Sequence, residues 1–432
     1  MKSSWRSSVT LFSSFQWLFF IFANTVVVPI SIGAAFDLPP NVTEMTMRSS
    51  LIFTGIACVF QGWKGHKYPL MEGHSGLLWG VMLNLGLSAP SIGLGYAEIG
   101  GGIATGLIAA GVVTLIISAF NLISHVQKIF TPMVMTVYLF LLTFQLIFVF
   151  FKGMLGITEN GEINVPVSFL SVGIVLLVSI LKIKGPRTIS NFSILIGIIV
   201  GWIFYELLFP EAGGEMGSTG AAFSFFPLGA PNLQFGIIAI SFFAGLLNLC
   251  NTFASIQAAS ELIGDEAEHK QYRNSLFMTG GFTIFAPLLG LVPYTPFTSS
   301  IGFLQSTQIY ERKPFLLGGM LLTIIGLIPP FISFLATMPI TVGNAVLFVA
   351  YLQLFGTAFN SVKGQNFTSD TIFRLAVPVL IGVSLMNVLP AAFSNLPALL
   401  QPFLTNGLIM GVLISIVLEK SVNWTRYEQL HN

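Results

Sequence analysis

Long apolar runs recur along this chain, and polar residues gather in the short gaps between them. A helix needs about 20 residues to cross the hydrocarbon core of a bilayer. On that scale the runs predict fourteen spans. The first seven are 15–35, 49–63, 74–90, 99–121, 131–151, 166–181 and 190–209. The second seven are 235–259, 274–291, 297–309, 314–336, 340–359, 373–390 and 403–418. Several are short, and two of these, 74–90 and 297–309, stand third in each set of seven. Short or interrupted segments at matching positions of two halves point to an inverted repeat with its site near the midplane. The expected fold is an all-α polytopic membrane protein with a 7+7 inverted repeat.

The stretch Pro293-Tyr-Thr-Pro-Phe-Thr-Ser-Ser-Ile-Gly302 sits among these runs, yet two prolines and four hydroxyl side chains make it a poor helix interior. Unpaired backbone groups against lipid cost several kcal/mol each, so such a segment must be buried in protein or line a wet cavity. A half-helix starting near Thr298 would aim free N–H groups and a positive dipole end at whatever binds there. That arrangement suits a transporter.

Composition agrees. Of 432 residues 54% are hydrophobic and 8% charged, against about 25% charged in a soluble domain, so no water-facing surface can be built. The 43 glycines suit close helix packing in lipid. The run from Phe15 to Ala35 follows Lys2 and Arg6, is too long for a signal-peptide core, and is expected to be the first span. With the N-terminus inside, every Lys and Arg of the 18 falls in an inner segment except Arg48 and Lys152. The positive-inside rule predicts this bias, which puts both termini in the cytoplasm, as expected of a plasma (inner) membrane protein. The outer acidic residues Asp37, Glu44, Glu159, Glu162, Glu206, Glu211 and Glu215 read as solvated loop charges. The inner loop Glu261–Arg273 reads as a solvated connector.

Neither Cys58 nor Cys250, each within an apolar run, suggests a disulfide or a thiolate metal site. The histidines lack metal-ligand spacing, and His66, His125, His269 and His431 read as interfacial or packed residues. No nucleophile–base pair or phosphate loop is present, so an enzyme, a metal, a cofactor and a nucleic-acid partner are not expected. Glu98 is expected at the membrane interface. Ionisable residues inside spans are rare and functional as a rule. Glu72 and His74, in Pro69-Leu-Met-Glu-Gly-His-Ser-Gly76, head the third span. They either line a broken-helix start facing that of Phe297–Gly302 or snorkel at the cytoplasmic mouth. In span eight, Asn248, Asn251, Thr252 and Ser255 recur at three- and four-residue steps and form one polar stripe. The stripe either bonds neighbouring helices or lines a site, the second being favoured beside a broken helix. Gln16, Asn24 and Thr25 form a weaker polar set in the first span.

Several segments, in order, resemble the nucleobase–cation symporter-2 family, the uracil, xanthine and purine permeases. Gln16-Trp-Leu-Phe-Phe-Ile-Phe-Ala-Asn-Thr-Val-Val-Val-Pro29 is similar to its Gln-His…Thr-x-x-x-Pro opening, and Pro69…Gly73-His-Ser-Gly76 to its Pro-x-x-x-Gly-Ser-Ser segment. Phe192–Trp202 resembles its seventh span and Pro339–Phe348 onward its twelfth. The resemblance implies a core domain of spans 1–4 (1–125) and 8–11 (231–338). It implies a gate domain of spans 5–7 (126–230) and 12–14 (339–432, ending in a short cytoplasmic tail). It also implies short strands before half-helices three and ten, with the base bound between them, and dimers as the usual assembly.

The substrate-binding residues it implies are Ser75, Gly76, Asn251, Ser255, Phe297, Thr298, Ser299 and Ser300. Several depart from the family pattern. The span-eight carboxylate falls at Asn251 and its partner at Ser255. The span-ten Glu or Gln falls at Ser299 and the next Asn at Ser300. The first-span His is Trp17, and the aromatic after Gly-Ser-Ser is Gly76. Asn251 does not titrate, so proton coupling would need another group, for which Glu72 and His74 are the candidates.

The first reading is a secondary transporter of a purine or pyrimidine base or similar planar solute, coupled to a proton or cation. An anion transporter of the same architecture stays open, since helix dipoles without a facing carboxylate suit an anion. Such carriers often bear a soluble C-terminal domain, for which the tail after Glu419 leaves no room. A non-transporting solute receptor also stays open.

Overall fold

The computed structural model describes residues 8–122, 128–129, 131–157, 162–186, 189–190, 192–210, 224–352, 355–356, 358–359, 362, 367–393, 395–397, 401–422 and 424. Lys2, Arg6, His125, Glu159, Arg187, Glu211, Glu215, Lys363, Arg426 and His431 lie outside them.

The first half builds α1 (Ser8–Thr25), α2 (Val27–Ala35), α3 (Pro40–Trp63), strand β1 (Glu72–His74), α4 (Gly76–Ile92), α5 (Tyr96–Ala119), α6 (Pro132–Met154), α7 (Val165–Lys184) and α8 (Ser193–Leu208). The second builds α9 (Phe235–Leu247), α10 (Leu249–Ile263), α11 (His269–Leu288), strand β2 (Tyr294–Pro296), α12 (Ser299–Thr307), α13 (Arg312–Gly326), α14 (Pro329–Ala336), α15 (Ile340–Tyr351), α16 (Ser369–Met386) and α17 (Gly407–Ser421). Among the described residues six helical stretches are long and apolar enough to cross a membrane: Thr10–Ala35, Tyr96–Ala119, Pro132–Met154, Val165–Lys184, Phe235–Ile263 and Ser369–Met386. Shorter apolar helices, Gly76–Pro90, Ser193–Leu208 and Ile340–Tyr351, stand among them.

The run 314–336, expected as one span, is two helices bent by 87°. The reason is local: Pro329 and Pro330 cannot continue a helix from α13, but fit the first positions of a new one. Glu44, expected to be solvated, is buried in α3 and accepts a 2.5 Å hydrogen bond from the Ser333 hydroxyl of α14. Glu98 lies in the first turn of α5, its carboxylate accepting from the Gly95 N–H at 2.9 Å. Asn24 and Thr25 bond back to the carbonyls of Phe20 and Ile21 in their own helix, just before the break at Val26.

The helices pack in two groups. In one, α5 lies along α9 and α11, and α13 lies between α1 and α3. Gly55 sets the α3–α13 distance, because a Cβ there would collide with the Gly319 carbonyl and the Thr323 hydroxyl. In the other, α6 packs on α15, α16 and α17, and α7 on α8 and α15. The groups meet along a thinner seam where α4 touches α6, α2 touches α15 and α1 touches α8. In the second group the Arg374 guanidinium donates to both Glu419 oxygens at 2.8 and 2.9 Å, and Thr131 donates to the same carboxylate, joining the ends of α6, α16 and α17.

Candidate functional site

The site grows from a two-stranded ribbon. β1 and β2 pair antiparallel, Glu72 opposite Pro296, Gly73 opposite Thr295 and His74 opposite Tyr294. The Ser75 N–H donates to the Pro293 carbonyl and the Phe297 N–H to the Met71 carbonyl, both at 2.8 Å. In that register Gly73 and Thr295 are the bonded pair, and the carbonyls of Tyr294 and Pro296 point away from β1. Each strand feeds a half-helix, α4 after β1 and α12 after β2. The Ser75 hydroxyl caps α4 by accepting from the Leu78 N–H. α12 starts at Thr298 without a side-chain cap, and Ser299 at its head is exposed.

The outward carbonyls explain the polar stripe of span eight. Asn248 Nδ2 donates to the Tyr294 carbonyl at 3.2 Å, and the Ser255 hydroxyl to the Pro296 carbonyl at 2.9 Å. Asn251 Nδ2 in turn donates to Asn248 Oδ1 at 3.3 Å. Asn248 is the N-cap of α10 and Asn251, Thr252 and Ser255 follow within that helix, so the stripe runs along its first two turns. Ser255 also lies 3.5 Å from the Thr298 hydroxyl. Thr252 Oγ1 is buried without a partner among the described residues. On the other edge Cys58 of α3 serves β1, its sulfur accepting from the Glu72 N–H at 3.3 Å.

The structure therefore brings Ser255 to Thr298 at the head of α12, where Phe297 and Ser299 also lie, and sets Asn251 one turn of α10 away, beside Asn248. Ser300 turns inward, its hydroxyl accepting from the Met71 N–H at 3.0 Å. Phe297, half-buried, covers Gly73, where a Cβ would stand 3.0 Å from its ring. Gly76 faces the seam, 3.2 Å from Leu146 and 3.5 Å from Tyr351 as measured from a Cβ built there. Trp17 is buried against Phe303 and Phe315, with ring centroids 4.6 and 4.9 Å away.

Sequence reasoning missed the contribution of α6. Its Tyr138 is buried beside Asn251, and the phenol oxygen makes no hydrogen bond of acceptable geometry to a described residue. One face further along, Gln145 packs against Gly80, with Oε1 buried and unpartnered among the described residues. The seven-residue spacing of Tyr138 and Gln145, with Thr136 and Thr143 the other polar uncharged side chains of this apolar run, marks one helix face and was the available signal. Trp79, Phe150 and Tyr351 complete the seam, the Phe150 and Tyr351 rings 5.4 Å apart.

Behind the ribbon lie Glu72 and His74, both buried. His74 Nδ1 is 2.8 Å from the Val292 carbonyl and so carries the hydrogen, leaving Nε2 to accept from the Ser50 hydroxyl at 2.6 Å. Its ring packs on Tyr294 across the strand pair at 4.7 Å. Glu72 meets His66 instead: His66 Nε2 is 3.3 Å from Glu72 Oε1. His66 belongs to the connection before β1, which Gln271 holds by donating to the His66 carbonyl at 2.6 Å. In the same connection burial raises the Tyr68 phenol above its ordinary range, keeping it a neutral donor to the Asp265 carbonyl. Among the described residues no group of three His, Cys, Asp or Glu side chains could hold a metal.

Apolar spans around two facing half-helices define a multi-pass integral membrane transporter. The profile of the permease family Xan_ur_permease matches residues 8–391. The chain belongs to this family, the nucleobase–ascorbate transporters. YwdJ of Bacillus subtilis (strain 168), provisionally named a purine permease, is 29% identical over 95% of each chain. The uric acid transporter UacT of Escherichia coli (strain K12) is 24% identical over 94% of this chain and 85% of its own. The xanthine permease of Bacillus subtilis (strain 168) is 24% identical over 95% and 92%. Among solved structures, the transmembrane domain of the cyanobacterial bicarbonate transporter BicA aligns at a TM-score of 0.63 and 15% identity, over 96% of this chain and 99% of its own. SLC26A9 aligns at 0.64 and 11%, over 95% and 65%. At these identities the likeness is one of fold.

Proposed function

We propose that this permease moves a purine or pyrimidine base, or a similar planar solute, by alternating access. Spans 1–4 and 8–11 form the core domain, spans 5–7 and 12–14 the gate, and the fourteen spans make a 7+7 inverted repeat. The solute lies at the head of α12, between Asn251, Ser255, Phe297, Thr298 and Ser299 on the core side and Tyr138 on the gate side. Ser75 and Gly76 shape the opposing half-helix start. The observation that carries this reading is the unmatched polarity of that space. The start of α12 is uncapped, Ser299 at its head is exposed, and the Tyr138 phenol stands beside Asn251 one turn of α10 away from Ser255. Buried polar groups are nearly always satisfied, and the edge of a base offers matching donors and acceptors. Uptake is driven by a proton or cation, the termini face the cytoplasm, and the working unit is a homodimer in the plasma membrane.

Thermal stabilisation of the purified protein by purines, pyrimidines and small anions tests the reading. A ligand at a hundredfold its Kd adds about 2.7 kcal/mol to folded-state stability. Stabilisation by one base, lost in Asn251→Ala and Ser299→Ala, is the expected result. Stabilisation by anions alone would replace the base with an anion, for which neutral residues at 251 and 299 leave room.

A further inference from the structure

We propose that Glu72 and His66 form the binding site of the coupling proton, behind the strand ribbon and apart from the solute site; this rests on the reading of the chain as a coupled transporter. Hydrogen bonding fixes the pair. The Tyr68 N–H donates to His66 Nδ1 at 3.0 Å, so the ring hydrogen is on Nε2 and points at Glu72 Oε1, 3.3 Å away. Both side chains are wholly buried. The other carboxyl oxygen, Oε2, is buried and has no partner among the described residues. A buried carboxyl group persists where its charge is paired or where it keeps its proton. Oε2 is the one open place in this pair for a proton.

Among the described residues no further charged side chain pairs with Glu72. The Cys58 sulfur of α3 meets the backbone of Glu72, His74 stands two residues on in β1, and Tyr294 lies across on β2. Tyr68 stacks on His66 at 6.5 Å, and α11 reaches the pair through the neutral amide of Gln271. Asp265 and Glu268 stand beyond, beside the Tyr68 phenol. His66 is the one ion-pairing group within 4.0 Å of Glu72 among the described residues. His74 has both ring nitrogens committed and serves as a brace.

Loading forms one O–H bond at Glu72 Oε2 and release breaks it, the proton passing from or to water on the side to which the core is open. Release leaves a carboxylate with a single donor, which must draw in water or turn. Glu72 is one residue from Gly73, and Gly73 carries Phe297 of the solute site. A shift of Glu72 therefore reaches the head of α12 through two residues of strand.

Two measurements on the full-length protein test this. Infrared difference spectra titrated with pH, without solute, should show a protonated-carboxyl band that Glu72→Gln removes; a band of unchanged size in Glu72→Gln overturns the proposal. Proteoliposomes loaded for uptake of radiolabelled xanthine and uric acid supply the second readout. For one proton per solute, a one-unit pH gradient supports about tenfold accumulation. The ratio of gradient-driven uptake to solute exchange should fall by about that factor in Glu72→Gln, at an unchanged melting temperature. An unchanged ratio overturns the proposal. Wild-type protein that takes up neither solute overturns xanthine and uric acid as its substrates instead, and the infrared titration then decides the proton site alone.

Discussion

The Ser255 hydroxyl donates to the Pro296 carbonyl at 2.9 Å, on the edge of β2 turned away from β1. The first turns of α10, with Asn248 at the N-cap, thus close the outer edge of β2. Ser255→Ala leaves that carbonyl unpaired and is expected to cost about 1–3 kcal/mol. At Asn248, which donates to the Tyr294 carbonyl, Asp is expected to be worse than Ala, because a carboxylate can only accept. Melting temperatures of the purified variants check both, and an Asn248→Asp variant as stable as Asn248→Ala would refute the edge-closing role.

Gly55 holds α3 against α13 at a separation that admits no side chain. Gly55→Ala is expected to cost about 1–3 kcal/mol by overpacking. Gly55→Val is expected to prevent assembly, seen as loss of the monodisperse peak in size-exclusion chromatography.

Gly76 lies on the seam, with Leu146 and Tyr351 within 3.5 Å of where a Cβ would sit. Gly76→Phe forces the two helix groups apart at the proposed solute site. The expected loss is about 1–3 kcal/mol of binding, roughly ten- to hundredfold in Kd. Titration calorimetry with the base identified by thermal stabilisation measures it directly.

Arg374 grips both oxygens of Glu419 and lies over the Trp424 ring at 5.0 Å. Lysine keeps the charge but not the planar fork or the stacking. Arg374→Lys is therefore expected to melt well below wild type. Arg374→Ala should lose about 1–3 kcal/mol, less than the roughly 3–5 kcal/mol of a fully buried pair, since its side chain is 13% exposed. Thermal unfolding of both variants ranks them.

Much of this was legible in the sequence because lipid imposes simple rules. The half-helix expected near Thr298 does begin there, since two prolines and a run of hydroxyls exclude regular helix before it. The stripe from Asn248 to Ser255 was visible as spacing, but its partners are backbone carbonyls, which every residue has and no sequence pattern marks. Glu44 looked like a loop charge because its partner, Ser333, comes from the other half of the chain. His66 looked ordinary for a similar reason: a turn, not a helical period, brings it to Glu72. The break within 314–336 was announced by Pro329-Pro330 and hidden by the hydropathy of its flanks.

The ribbon also orders the protein's birth. β1 is made early and β2 only after the chain has passed α11, so the first half enters the bilayer with a strand whose pairing edge is vacant. Its backbone groups have no lasting partner until the second half arrives. Half-helix α4 consequently has no paired strand before it until β2 is made. A nascent chain halted before Tyr294 would hold a loose segment around β1, open to protease, and the completed chain would close it in one late step.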